Sequence, residues 1–192
     1  DAVIFESSAR LDIPKIQQAL SDDQILLHYM QLTDQLVIVC ISKDRVDSTI
    51  VNVSKKDIDN TIKTNFLVNY IELYGHNTDP TKEEDQQYMQ NAIAILSDLY
   101  TWLIKPVHNK IINKKRIYFS TGGFISQVPF CALISSVEED TPHFLVEDYE
   151  IGNIRSSFMA ALTDINKKKS TKTLLAAGNP SNSKIKMKNL DS

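Results

Sequence analysis

Three apolar runs near the start of the chain are separated by connections of only a few polar residues. They span residues 25–32, 36–41 and 46–53; the first two are rich in Val, Ile and Leu, and the third contains polar residues and alternates less cleanly. Connections this short can join antiparallel neighbours, whereas parallel neighbours need a crossover of a dozen residues or more. The segment therefore predicts an antiparallel meander of three β-strands.

Helical patterns lie on both sides of this meander. Residues 13–20 predict a short helix, with Asp12 as its N-cap. Residues 54–75 carry an apolar residue at every fourth position, which is the spacing of one helix face. Residues 81–104 begin with a Thr-Lys-Glu-Glu capping box and carry a second apolar stripe, and Pro106 ends this pattern. The two longer patterns predict two long helices, and we expect the second stripe to lie against a sheet.

The second half of the chain changes to short strands that alternate with helices. Several of these strands end in glycine-containing turns, which is typical of a largely parallel sheet. The predicted fold is thus α/β, with an antiparallel meander and two long helices followed by a largely parallel α/β/α sheet. The later elements are strands at residues 116–120, within 144–154 and at 171–177, a compact turn or short helix at 127–133, and a helix at 156–162.

The formal net charge of the 192-residue chain is only −3, but the charge is unevenly placed. Residues 1–104 hold 8 basic and 16 acidic groups, whereas residues 105–192 hold 13 basic and 8 acidic groups. Clustered basic side chains can bind nucleic-acid phosphates. Because these clusters lack interleaved aromatic residues, we expect a solvated surface and no direct binding of nucleic acid. The clusters are Lys105, Lys110, Lys114, Lys115 and Arg116, then Lys167, Lys168, Lys169, Lys172, Lys184, Lys186 and Lys188.

Cys40 and Cys131 are the only cysteines, and each lies in an apolar run far from the other. We expect both to be buried thiols in a reducing compartment, which excludes a disulfide framework and a four-cysteine zinc site. Residues 1–20 have no secretory signal pattern, and no apolar stretch approaches the ~20 residues that a membrane span requires. These features predict a cytoplasmic protein without membrane contact.

No residue pattern predicts a catalytic, cofactor or metal site in this chain. The four histidines share no metal-ligand spacing. A nucleophilic Cys131 would need partial exposure and a basic neighbour, which its apolar surroundings do not predict. The glycine turns at residues 120–123 and 178–180 could present N–H groups to a phosphate, but they lack the residues of a phosphate-binding motif. We interpret them as chain turns, and we expect no cofactor.

Five segments of the second half follow one another in a characteristic order. They are Leu-Tyr-Thr-Trp-Leu-Ile-Lys-Pro at 99–106, Lys-Arg-Ile-Tyr-Phe-Ser-Thr-Gly-Gly at 115–123, Val-Pro-Phe-Cys-Ala-Leu at 128–133, Phe-Leu-Val-Glu-Asp-Tyr-Glu-Ile at 144–151 and Leu-Leu-Ala-Ala-Gly-Asn-Pro at 174–180. This series resembles the CHAT domain, and the resemblance extends over residues 11–182. The sequence departs from the family pattern by Ser120-Thr121-Gly122, where Pro-Asp-Gly is usual, and by Cys131, where a small residue is usual.

The resemblance implies a caspase-like fold, because CHAT domains belong to the caspase and separase superfamily of cysteine peptidases. Such enzymes carry a histidine in a Ser/Thr-His-Gly turn and a cysteine in a Ser-Ala-Cys strand end. Both follow the Gly-Asn-Pro strand, and this chain contains neither motif. Residues 11–182 are thus expected to be the amino-terminal, pseudo-caspase half of a CHAT domain. Residues 1–10 would end an upstream segment, for which the family often has tetratricopeptide repeats, and residues 183–192 would be a linker toward the catalytic half.

The function implied by this resemblance is that of a non-catalytic lobe in a cysteine endopeptidase that cleaves a protein substrate when a partner activates it. The expected partners are the carboxy-terminal catalytic half, the protein substrate, and a regulatory protein or complex acting through the upstream repeats. Residues 36–41 and 174–177 are the candidates for a sheet edge or apolar face that the other half would cover. Two further hypotheses stay open: an inactive, degenerate scaffold for protein interaction, and a nucleic-acid-binding domain that uses the basic second half.

Overall fold

The computed structural model describes residues 13–66, 83–139 and 141–154, which form a mixed α/β fold. The prediction of an α/β chain is confirmed at this level. The strands are β1 (Gln24–Gln31), β2 (Leu36–Ile41), β3 (Val46–Val51), β4 (Arg116–Ser120), β5 (Ile134–Glu138), β6 (Thr141–Phe144) and β7 (Glu150–Ile154). One sheet has five strands in the order β3-β2-β1-β4-β7, and β5 and β6 form a separate two-stranded sheet.

The five-stranded sheet joins the two halves of the chain and is mixed. β1 pairs with β2, and β2 with β3, in the antiparallel sense, whereas β1 pairs with β4, and β4 with β7, in parallel. The largely parallel sheet expected for the second half is therefore a mixed one, because its strands continue the sheet of the first half through β1. β2 is an interior strand, so the expectation of a sheet edge at residues 36–41 is wrong. The edges of the described sheet are β3 and β7.

In the described ranges, five α-helical segments accompany these strands, and most are short. Helix α2 (Lys55–Asn60) begins where the sequence predicts, because the Ser54 hydroxyl accepts a hydrogen bond from the Asp57 N–H at 3.1 Å. After α2 the chain continues as a π-helical turn, Thr61–Phe66. The helices are α1 (Ile13–Ala19), α2 (Lys55–Asn60), α3 (Glu83–Leu103), α4 (His108–Ile111) and α5 (Leu145–Asp148). Among the described residues, no helix has the length and apolar character needed to cross a membrane.

The chain does not leave its helical path at Pro106. α3 ends at Leu103, and a 3₁₀ turn, Lys105–Val107, leads directly into α4. Proline fits the first turn of such a segment because no N–H is needed there. The predictions for Asp12, for residues 67–82 and for residues 155–192 lie outside the described residues.

The main core lies on one face of the five-stranded sheet. Side chains alternate between the faces of a strand, so Ile25, Leu27 and Tyr29 of β1 share a face. They belong to one buried cluster with Leu99 and Leu103, which lie one helical turn apart on α3. A smaller cluster joins α1 to the opposite face; it contains Ile16, Leu20, Leu26, Ile41 and Ile154.

The chain segment that connects β4 to β7 contains the β5–β6 hairpin and α5. The hairpin pairs Glu138 with Thr141, and a bulge interrupts its register between Ile134 and Ser136. The sequence predicts neither of these two strands separately. The charged interruption expected within residues 144–154 is α5, whose Glu147 carboxylate accepts a hydrogen bond from the Phe144 N–H at 2.7 Å.

Candidate functional site

The carboxyl ends of β1 and β4 bring one histidine and one serine into contact. His28 and Ser120 are cross-strand neighbours, and the His28 Nδ1 lies 2.9 Å from the Ser120 Oγ. Ser120 is buried, with 4% of its surface exposed. A hydroxyl can both donate and accept, so either neutral tautomer of the ring keeps the hydrogen bond. The two residues are 92 positions apart, and the sequence offers no local signal for this pair.

The geometry of this pair favours a structural role. A serine next to a histidine is the arrangement of an activated nucleophile, but a nucleophile must be reached by its substrate. Ser120 is too buried for that. Burial lowers the pKa of His28 below its ordinary value, so the ring is neutral at pH 7 and remains a hydrogen-bonding partner for Ser120. The pair therefore acts as a polar support between two parallel strands.

A second histidine lies among carboxylates on the exposed side of the hairpin. The His143 Nε2 is 3.0 Å from Asp148 Oδ1, and its Nδ1 is 3.7 Å from Glu147 Oε2. The hydrogen bond with Asp148 raises the pKa of His143 above its ordinary value. Glu138 and Glu139 help to line the same cavity, of about 460 Å³. Within residues 13–66, 83–139 and 141–154, no three His, Cys, Asp or Glu side chains form a group that could hold a metal ion.

The opposite pKa shifts of the two histidines give a testable pH dependence. The pKa of His28 is lowered on folding, so the unfolded chain binds a proton more readily. The stability that depends on neutral His28 is complete above the unfolded-state pKa of 6.5 and is lost as the pH falls through the folded-state pKa. We expect His28→Gln to lose less stability than the unmodified chain between about pH 7.5 and 5.5, measured as the shift in urea midpoint.

His143 provides a control with the opposite sign. Because its pKa is raised on folding, its contribution is complete below the unfolded-state pKa and is lost as the pH rises through the folded-state pKa. His143→Gln should therefore make the loss of stability on acidification larger. The same urea-midpoint shift in the unmodified chain and in His28→Gln would contradict the structural role of His28.

The two cysteines differ in exposure. Cys40 is buried, as the sequence predicts, and burial raises the pKa of its thiol to about 11. The prediction that Cys131 is buried is wrong, because its side chain is exposed. Cys131 lies in a 3₁₀ turn, where successive side chains point about 120° apart. Phe130 and Leu133 take the inward positions of this turn, and Cys131 takes the outward one.

Thiol labelling separates the two cysteines. In the native chain we expect rapid reaction of Cys131, because it is exposed, and slow reaction of Cys40, because it is buried with a raised pKa. Absorbance from a disulfide reagent should report one fast thiol before unfolding and a second one afterwards. Cys131→Ser should abolish the fast phase alone, and slow native labelling of both thiols would contradict the exposed position.

The glycine turn after β4 is packed against the end of β1. Gly123 has a φ of 57°, a backbone conformation that favours glycine, and a Cβ there would lie 3.0 Å from the Gln31 side-chain oxygen. The Ser126 hydroxyl donates a hydrogen bond to the Gly123 carbonyl at 2.7 Å. These contacts agree with our interpretation of residues 120–123 as a chain turn. The turn at 178–180 lies outside the described residues.

Three side chains of the first basic cluster bind separate parts of the protein. The Lys110 ammonium donates to the Thr49 hydroxyl at 2.9 Å, and the Lys114 ammonium donates to a main-chain carbonyl at 2.6 Å. Arg116 donates through its Nε to Glu150 at 2.7 Å. Cations engaged at different places do not form a continuous stripe for a phosphate backbone. The second cluster lies outside the described residues.

A groove of about 680 Å³ lies between the end of α3 and β5. Ser97, Tyr100 and Thr101 of α3 form one wall, and residues 134–137 of β5 form the other. Lys105 and His108 lie at the segment that joins α3 to α4, and both are exposed. The groove was missed from the sequence because β5 was not predicted; its signal is two short extended runs on either side of Glu139 and Asp140.

Residues 94–191 match the family model of the CHAT domain. This chain belongs to the CHAT family. The described part of the match contains the last part of α3, from residue 94 on, together with β4, the β5–β6 hairpin and β7. Membership places the chain in the family of caspase-like cysteine peptidases. No curated protein matches the chain.

Proposed function

We propose that this chain is the non-catalytic, pseudo-caspase lobe of a CHAT-family cysteine endopeptidase that cleaves a protein substrate when a partner activates it. One observation carries the proposal. The chain belongs to a family of cysteine peptidases, yet none of the described histidines is hydrogen-bonded to a cysteine thiol. His28 bonds to Ser120 and His143 to Asp148. Cys40 has a raised pKa, which is the opposite of an activated thiol.

The catalytic step belongs, in this proposal, to a carboxy-terminal half that supplies the cysteine and the histidine. That histidine would assist attack of the thiol on the peptide carbonyl and then protonate the leaving amine, so that a thioester intermediate forms and is hydrolysed. The described residues would contribute no proton-transfer group. They would support the catalytic strands by extending a continuous sheet beyond β7, which is an edge strand among the described residues.

The described packing supports a role in transmitting a signal. α3 has 21 residues, and its buried side chains share one core with β1 and β4. Because a packed core moves as a unit, an upstream regulator that displaced α3 would also displace the sheet strands packed against it. The proposal includes residues 11–182 as the lobe, tetratricopeptide repeats upstream and a cytoplasmic location. The two free thiols agree with a reducing compartment.

An inactive interaction scaffold is the second candidate function. The observation that favours it is the open groove beside β5, which offers room for a partner and has no cysteine in its described lining. A scaffold would bind partners through this lobe whether or not a peptidase dyad is present.

The test has two parts. The sequence that follows Ser192 in the gene should contain the Ser/Thr-His-Gly turn and the Ser-Ala-Cys strand end, and the longer protein should react with an active-site-directed thiol probe. The 192-residue chain alone should hydrolyse no peptide from a library. Turnover by this chain that is lost in Cys131→Ala would refute the proposal, and a longer protein without the dyad would establish the scaffold.

A further inference from the structure

The edge of β5 faces the groove beside α3. Four consecutive residues of β5, 134–137, line this groove. A strand that turned one face toward a cavity would contribute alternate residues only, because successive side chains point to opposite faces. The bulge between Ile134 and Ser136 disturbs this alternation, but Ser136 and Val137 are in regular register and both line the groove. The edge of the strand, with its backbone groups, therefore borders the groove. Among the described residues β5 pairs with β6 alone, so this edge has no strand beside it.

The hairpin geometry directs the main-chain groups of Val137 into the groove. Glu138 and Thr141 flank a two-residue turn, in which Glu139 has the positive φ of 47° that such turns require. Residues that flank a two-residue turn form a hydrogen-bonded pair, and the next pair outward is not hydrogen-bonded. That next pair is Val137 with Pro142, and proline has no N–H to donate. The N–H and C=O of Val137 consequently point away from β6.

The charges around the hairpin are divided between its two sides. The titratable residues that line the groove are Tyr100, Lys105 and His108, and the described lining contains no carboxylate. The cavity on the other side is lined by three glutamates, Glu138, Glu139 and Glu147, and by one histidine, His143. An extended segment that binds in the groove would thus lie near the basic side chains of Lys105 and His108. A basic segment would instead be attracted to the glutamates on the other side of the hairpin.

The size of the groove agrees with a bound peptide. α3 packs close to β5, and the groove that stays open beside the two elements has a volume of about 680 Å³. This volume is within the ~300–1,000 Å³ range of ligand-binding clefts. The exposed Val137 side chain, with 47% of its surface accessible, supplies an apolar contact at the same edge.

We propose that an extended, acidic segment of a partner protein binds in this groove as a third strand on β5. Its main chain would pair with the N–H and C=O of Val137, and a carboxylate side chain would bind Lys105. Strand addition draws its affinity from main-chain hydrogen bonds and its specificity from side chains. The inference concerns a binding surface and does not depend on the assignment as a peptidase lobe.

Nuclear magnetic resonance of the full 192-residue chain tests this surface with the blocked peptide Thr-Val-Glu-Val-Thr as the probe. We expect saturable shifts of the amide signals of Ser136, Val137 and Glu138, and slower hydrogen exchange at the Val137 N–H. The matched peptide Thr-Val-Lys-Val-Thr should bind more weakly, by roughly 5-fold or more at low salt, because it places a cation beside Lys105.

Two substitutions at one position isolate the main-chain contact. Val137→Pro removes the outward N–H but none of the hydrogen bonds to β6, and proline is tolerated at a strand edge for that reason. It should weaken binding by roughly 10-fold or more, while Val137→Ala, which keeps the N–H, should bind within about 3-fold of the unmodified chain. Lys105→Glu, at an exposed position, supplies a second variant and should remove the preference for the acidic peptide.

Several outcomes would overturn the proposal. They are no saturable shift with either peptide at millimolar concentration, equal binding of the two peptides, and binding that Val137→Pro and Lys105→Glu both leave unchanged. Self-association of the chain that Val137→Pro abolishes would also overturn it, since the occupant of the groove would then be a second copy.

Discussion

Phe119→Ala should destabilise the chain by roughly 3–5 kcal/mol, which is the range for deletion of a buried phenylalanine. Phe119 is fully buried in β4, and its ring stacks on Phe130 with centroids 4.0 Å apart. Tyr29 completes the aromatic cluster, with its centroid 5.6 Å from that of Phe130. Truncation leaves a cavity where three elements meet, because β1, β4 and the turn before β5 supply one ring each. Urea unfolding measures the free energy of unfolding directly.

Val146 provides the control for Phe119. Its side chain is 53% exposed on α5, and Val146→Ala should change the free energy of unfolding by no more than about 0.5 kcal/mol. Phe119→Leu should fall between the two, since it retains much of the buried apolar surface. A loss below about 1 kcal/mol for Phe119→Ala would mean that the aromatic cluster is not part of the folded core.

Leu99→Ala should cost roughly 2–5 kcal/mol of unfolding free energy, the range for truncation of a buried leucine. Leu99 is fully buried on α3 and belongs to the cluster that covers the main face of the sheet. The helix is held on this face by a polar contact as well, because the Tyr29 hydroxyl donates to the Leu103 carbonyl at 2.8 Å. Loss of the Leu99 side chain removes apolar contacts that this hydrogen bond does not replace.

The position of each leucine on α3 sets the size of the effect. Leu96, which the sequence stripe predicts to be equally buried, is only partly buried and should cost less than Leu99 when replaced by alanine. Met89 has 43% of its surface exposed, so Met89→Ala should lower the free energy of unfolding by no more than about 0.5 kcal/mol. Equal losses for Leu99→Ala and Met89→Ala would show that α3 does not pack on the sheet as described.

Local patterns anticipated much of what the chain forms. The predicted strand at residues 36–41 coincides with β2, and the strand at 116–120 coincides with β4. Both are apolar runs bounded by polar or glycine turns, a signal that depends only on neighbours in sequence. β5 and β6 were missed, because Ser135, Ser136 and His143 interrupt the apolar alternation that identifies a strand.

The candidate site was much less predictable. Cys131 lies in an apolar run and is nevertheless exposed, because a single 3₁₀ turn distributes three successive side chains around its axis. Composition around a residue reports the average burial of the segment and not the direction of one side chain. Ser120 and His28 are in contact only because β1 and β4 are parallel neighbours. These two strands pair although two other strands and several helices lie between them in the chain.

The sequence by itself determined the family, the positions of the main strands and the burial of Cys40, because each of these depends on residue type and short-range spacing. Only the tertiary structure decided which strands are edges, which thiol is exposed and which polar side chains meet. β2 became an interior strand through its pairing with both β1 and β3, and the edge of β5 came to border a groove beside α3. These features follow from contacts between residues far apart in the chain, and such contacts are chosen by the packing of the whole core.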